Sequence, residues 1–139
     1  MRFPIALLIA SLALPALAAD ELPKFRTGLW EFKRSVDGGD GKPVTLANQK
    51  CTNPTDDMKK KTESAAQSGC QVSPMSKSGN LYTFTFKCTI QGVSLQSKSV
   101  ITAESDTAYK VDAETKTGGK TTRELLNARW ISSCPEEQP

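Results

Sequence analysis

Four cysteines, Cys51, Cys70, Cys88 and Cys134, carry the most decided chemistry in this chain of 139 residues. Joined as two disulfides, they would staple a small domain in an oxidising compartment. Their spacings of 19, 18 and 46 contain no C-x-x-C, which disfavours a thioredoxin-like centre, and no paired knuckle for zinc. Histidine is absent, so a zinc site would need all four thiolates, and the commonest proton-transfer group of enzymes is missing. No metal and no cofactor are expected.

Other nucleophiles and acids are present without a constellation around them. No serine lies in a G-x-S-x-G elbow or an S-x-x-K arrangement, and Ser64, Ser68, Ser94 and Ser132 read as surface or turn residues. Two carboxylates about 5 to 10 Å apart can hydrolyse glycosides, which makes the acidic residues the next candidates. Asp56 and Asp57 suit a helix start, where capping explains them. Glu31 follows Trp30 on a strand, and alternation sends it to the opposite, solvent-facing side. Glu104, Asp106, Asp112 and Glu114 border a turn or face outward, without the spacing of an EF-hand. Gly38-Gly39-Asp40-Gly41 lacks the lysine and following helix of a phosphate-binding loop. The chain is therefore read as a non-enzyme.

The elements that hold these residues begin with an export signal. Arg2 precedes an apolar run from Ile5 to Leu17, and Ala16 and Ala18 fit an A-x-A cleavage site, so residues 1–19 read as a signal peptide cut after 18 or 19. The run is too short to cross a hydrocarbon core, which takes about 20 residues, and Asp20 and Glu21 follow at once. No membrane span is expected in the mature chain. About 120 residues then remain, enough for one domain over 20–139. The formal charge of +3 is small and dispersed, which speaks against a nucleic-acid partner. The run Lys59 to Lys61 reads as a solvated helix face.

From Thr27 onward, short alternating runs separated by glycine and polar turns predict antiparallel sheet. A first strand covers Gly28 to Val36, with Trp30 and Phe32 on one face. Asp37 to Gly41 is a turn, and a return strand runs to Cys51. One helix follows, with Asn53 as N-cap, Pro54 at the first helical position and Gly69 just past the end. Only Met58, Ala65 and Ala66 are apolar within it, so it is expected to bury little and to lie over one end or edge of the sheet.

A hairpin centred on Gly79 makes residues whose numbers sum to 158 face each other: Cys70 with Cys88, Val72 with Phe86, Pro74 with Phe84, Ser76 with Tyr82. Directly opposed residues sit about 4.5 to 5.5 Å apart, within reach of a disulfide. Cys70 is therefore paired with Cys88, which leaves Cys51 with Cys134. Three more strands follow, one through Val93, Leu95, Ile101 and Ala103 with Ser97 and Ser99 in its middle, one through Tyr109, Val111 and Ala113, and one through Leu126, Ala128, Trp130 and Cys134. About seven strands and one helix between the second and third predict a mainly β fold, a strongly curved antiparallel meander or partly closed barrel.

The opening Thr27-Gly28-Leu29-Trp30-Glu31-Phe32, a first cysteine about 20 residues later, Ser78-Gly79-Asn80-Leu81-Tyr82-Thr83-Phe84 leading into Cys88, and Ala128-Arg129-Trp130-Ile131 just before Cys134 form an ordered set. The chain resembles a family of small exported proteins, mostly of Gram-negative bacteria, that carries a domain of unknown function, a G-L-W-E start and four spaced cysteines. The resemblance spans nearly the whole mature chain. It implies a periplasmic or envelope setting and supplies no catalytic residue. Ser132-Ser133 stands where a glycine is commoner in that family.

The aromatic residues remain. In a curved sheet they fill the interior, the commoner outcome for a barrel of this size, or line a pocket suited to a small apolar ligand. The expected function is a periplasmic, monomeric, non-enzymatic module binding a protein partner or a small apolar ligand. Trp30, Phe32, Phe84, Phe86 and Trp130 form the candidate face. The alternative is a weak envelope hydrolase that uses acidic residues such as Glu31.

Overall fold

The computed structural model of the protein describes residues 21–135, so the expected signal peptide lies outside the described residues. Eight strands and one helix follow in the order β1 (Gly28–Asp37), β2 (Val44–Thr52), α1 (Pro54–Gln67), β3 (Gln71–Val72), β4 (Ser76–Ser78), β5 (Leu81–Ile90), β6 (Val93–Ser105), β7 (Ala108–Thr117) and β8 (Lys120–Ser132). They build one antiparallel sheet in the order β2-β1-β8-β7-β6-β5-β3, with β4 also paired to β5. The terminal strands β2 and β3 do not pair with each other, so the sheet stays open.

The strand count is eight rather than seven because the leg before Gly79 is split at Pro74. Proline has no N–H to give to a ladder. Ser73 covers the gap: its N–H donates to the Thr85 carbonyl at 2.9 Å, and its hydroxyl accepts from the Thr85 N–H at 2.8 Å. The break also changes the register. Val72 faces Phe86, as the sum of 158 requires, but beyond Pro74 the partners slip by one residue, so that Ser76 faces Thr83 and Lys77 faces Tyr82. The turn is accordingly centred between Gly79 and Asn80, and the expected pairs Ser76 with Tyr82 and Pro74 with Phe84 do not form.

Helix α1 starts and stops for local reasons. The Asn53 side chain accepts from the Asp56 N–H at 3.2 Å, Pro54 opens the helix, and Asp56 and Asp57 sit in its first turn. At the other end Gly69, at φ +85°, lets the Gly69 and Cys70 N–H groups reach back to the Ala66 and Ala65 carbonyls, both at 3.1 Å. The two disulfides bracket this helix. Cys51 bonds Cys134 (Cα–Cα 5.7 Å) just before α1, and Cys70 bonds Cys88 (Cα–Cα 4.3 Å) just after it. One bridge fixes the β2 side of the helix to the end of β8, and the other fixes its far end to β5.

Register places the odd-numbered residues of β6 and β7, such as Ile101, Ser99, Tyr109 and Val111, on the same face as Phe32, Leu126, Phe84 and Tyr82. This is the inner face. The outer face carries Glu31, Lys33, Lys110, Asp112, Arg123 and Arg129, tied into solvent-exposed ion pairs such as Arg123 with Asp112 at 2.6 Å and Arg129 with Glu31 at 3.3 Å. Pairs of this exposure add little stability. They explain why the outer face needs no cover.

At one end of the inner face the segment before β1 folds across the sheet as a strap. Pro23 and Phe25 are buried there, and the Phe25 ring stacks on Tyr109 with centroids 4.4 Å apart and meets Trp30 edge-on at 6.0 Å. Trp30 is fully enclosed, and its indole N–H donates to the Arg26 carbonyl at 2.8 Å. The strap is bonded at several points. Arg26 N–H donates to the Asp106 carbonyl at 2.9 Å, Phe25 N–H to the Thr55 hydroxyl at 2.9 Å, and that hydroxyl to the Pro23 carbonyl at 2.8 Å. Gly28 is glycine because a Cβ there would lie 2.1 Å from the Trp130 indole nitrogen and 2.6 Å from the Ser132 carbonyl. Helix start, strap and strand ends thus lock into one aromatic core.

Candidate groove under the helix

Beyond that core the inner face is not filled. Helix α1 crosses it, and a cavity of about 360 Å3 lies between the two. The helix turns Pro54, Asp57, Met58, Lys61 and Thr62 toward this space, the i, i+3, i+4, i+7, i+8 spacing of one helical face. That stripe is half polar, so it cannot sink onto the sheet without stranding charges in apolar surroundings. It stands off instead. Helix α1 packs most closely on the edge strand β3, as expected of an edge position, and its first turns reach over the groove.

The floor is apolar at its centre. Phe32 comes from β1, Leu126 from β8, Val111 from β7, Ile101 from β6 and Phe84 from β5, with Met58 opposite on the helix. Small residues, Ala113 and Ser99, keep the floor low beside them. A volume in this range falls at the lower end of ligand pockets, about 300 to 1,000 Å3.

Charges occupy the rim. Arg34 pairs with Glu124 across β1 and β8 at 2.5 Å. Asp57 accepts from the Thr52 hydroxyl at 2.5 Å and has Lys50 at 3.9 Å. Both groove carboxylates thus have donors, while Lys61 forms no ion pair among the described residues. Tyr109 also lines the groove. Burial, reinforced by the Asp57 charge and opposed by Arg34, pushes its phenol well above the usual value of 10.0. At neutral pH it is an uncharged hydroxyl.

The residues expected from sequence divide by location. Phe32 and Phe84 line the groove. Trp30 belongs to the filled core, Phe86 is buried edge-on against Phe84 at 5.1 Å, and Trp130 lies beneath the Arg26 guanidinium, 4.3 Å from the ring centre, at the strap end. The groove brings in Arg34, Lys50, Asp57, Met58, Lys61 and Glu124, none of which sequence reasoning placed in a site, together with Tyr109, one of the aromatic residues expected to fill the interior or line a pocket. Of the run Lys59 to Lys61, only Lys61 borders the groove. Glu31 points to the outer face and is held by Arg129 and Lys33. Among the described residues no three His, Cys, Asp or Glu side chains come together as a metal site, and no helix is long and apolar enough to cross a membrane.

Fold and site together define a small disulfide-bridged β domain, an open curved sheet built around a groove roofed by one tethered helix. Residues 25–134 match the family described as "Protein of unknown function (DUF3617)", and the chain belongs to that family. A domain of unknown function, as the resemblance implied, is thereby shown. Neither the curated proteins nor the solved structures contain a match to the chain. The two disulfides are compatible with an oxidising, exported compartment.

Proposed function

We propose that the protein is a non-enzymatic periplasmic binding module whose groove under α1 takes a small, largely apolar ligand. The observation that carries this reading is the cavity of about 360 Å3 with an apolar floor of Phe32, Phe84, Ile101, Val111 and Leu126. The floor turns apolar side chains toward a space open to solvent, which a small apolar guest would cover. Here the tethered roof keeps it open. The groove residues form no nucleophile and base pair, and the groove carboxylates Asp57 and Glu124 are both engaged by neighbouring donors. Such an arrangement suits binding better than turnover.

The test is native mass spectrometry of the protein taken from periplasm, beside Ala113→Phe, which fills the groove. The expected result is a bound small molecule in the wild type and none in the variant. A bare chain in both would remove the ligand reading. That outcome favours a protein partner, for which β2 offers an observation of its own: its outer edge is unpaired, and Val44 and Leu46 are 59% and 56% exposed.

A further inference from the structure

We infer that the ligand is a single-chain amphiphile with an anionic head group, its head at the rim beside Lys61 and Lys50 and its chain over the apolar floor. This deepens the reading of the groove as a ligand site and rests on it. The charge balance is the first argument. Three cationic side chains, Arg34, Lys50 and Lys61, border the groove against two anionic ones, Asp57 and Glu124. Glu124 is taken up by Arg34 at 2.5 Å, and Asp57 by the Thr52 hydroxyl at 2.5 Å. Lys50 stands 3.9 Å from Asp57, a long ion pair. Lys61 has no ionic partner among the described residues, so one positive charge at the rim stays uncompensated.

Position is the second argument. Lys61 lies one helical turn beyond Asp57 on the roof, and Lys50 lies on β2 at the open edge; both border the groove and are exposed to solvent. The apolar side chains lie deeper, on the central strands. An anionic head can stay partly hydrated between the two lysines while its chain leaves water. A cationic head would face like charge, and a neutral head would leave that charge unmatched. The small volume limits the guest to one chain.

The experiment is displacement of the neutral fluorescent probe N-phenyl-1-naphthylamine from the full mature protein by three competitors of one chain length: dodecanoate, dodecanol and dodecyltrimethylammonium. Dodecanoate is expected to displace the probe at the lowest concentration and dodecyltrimethylammonium at the highest. Lys61→Gln is expected to weaken dodecanoate by roughly fivefold, the scale of one partly exposed ion pair, while leaving dodecanol unchanged. Equal displacement by all three would overturn the head-group assignment and leave the apolar groove standing. No probe binding would overturn the groove reading itself and the inference with it. Displacement by phosphatidylglycerol vesicles but not by monomeric dodecanoate would move the contact to a membrane surface and also overturn it.

Discussion

The two ends of the inner face are built on the same strands and finished in opposite ways. At the strap end, Phe25, Trp30, Tyr109 and Ala128 close on one another and exclude water. Further along the same strands the inner face carries Leu126, Ser99 and Ala113, and the helix above presents Asp57, Lys61 and Thr62 beside Met58. Stability resides in the first region, and the second is left free to bind. A sheet face of this width need not be uniform, since each strand crosses it with several inward residues. Their sizes decide locally whether space remains.

The sharpest way to break this comparison is Trp30→Ala. Removing a fully enclosed indole is expected to cost about 3 to 5 kcal/mol, measured by urea denaturation, whereas Phe84→Ala, which already faces open space, is expected to cost less than about 2 kcal/mol. Equal losses would mean that the groove is packed like the core.

Next in size is the tether. Replacing Cys70 and Cys88 with alanine releases the far end of the roof and a loop with a sequence separation of 18, for a loss of about 3 kcal/mol under the chain-entropy model. Probe binding in the groove is expected to weaken along with stability, because the helix is then held at one end only. Unchanged binding would show that the roof is positioned by something other than its bridges.

Two insertions of the same ring sharpen the contrast. Ala128→Phe in the filled end is expected to destabilise by about 1 to 3 kcal/mol. Ala113→Phe projects into vacant space and is expected to stay within about 1 kcal/mol of the wild type. Similar costs at both positions would erase the distinction between the two regions.

The smallest effect is in pH. Burial raises the Tyr109 phenol above its unfolded value of 10.0, so the folded state holds the proton more tightly. Its contribution is intact below about pH 10 and is lost as the pH rises beyond, by at most about 1.4 kcal/mol per unit. Denaturation midpoints between pH 8 and 11 are expected to fall more steeply for the wild type than for Tyr109→Phe. Parallel profiles would place the phenol in solvent.

Much of the scaffold is legible in the sequence because it depends on local rules. The caps of α1 follow from Asn53, Pro54 and Gly69, and the pairing of Cys70 with Cys88 follows from strand alternation near a glycine turn. The slip at Pro74 is not legible, since the loss of one ladder donor says nothing of whether a side chain such as Ser73 will replace it. The strap escapes notice for a different reason. Phe25 sits between Lys24 and Arg26 in a segment without periodicity, and its burial depends on Tyr109 and Trp30, both distant or on another element. The groove is hidden in a similar way. The low apolar content of α1 signals weak packing, but which strands pass beneath it, and that Arg34, Lys50 and Glu124 meet at its rim, depends on sheet order. β2 shows no readable pattern because nearly all of it is exposed on both faces.

The most direct test is methyl NMR of the folded protein titrated with N-phenyl-1-naphthylamine. The account predicts that the methyl signals of Ile101, Val111 and Leu126, which face the groove, shift progressively, while those of Val100 and Leu125 on the outer face stay fixed. Shifts confined to the outer-face methyls, or none anywhere, would contradict it.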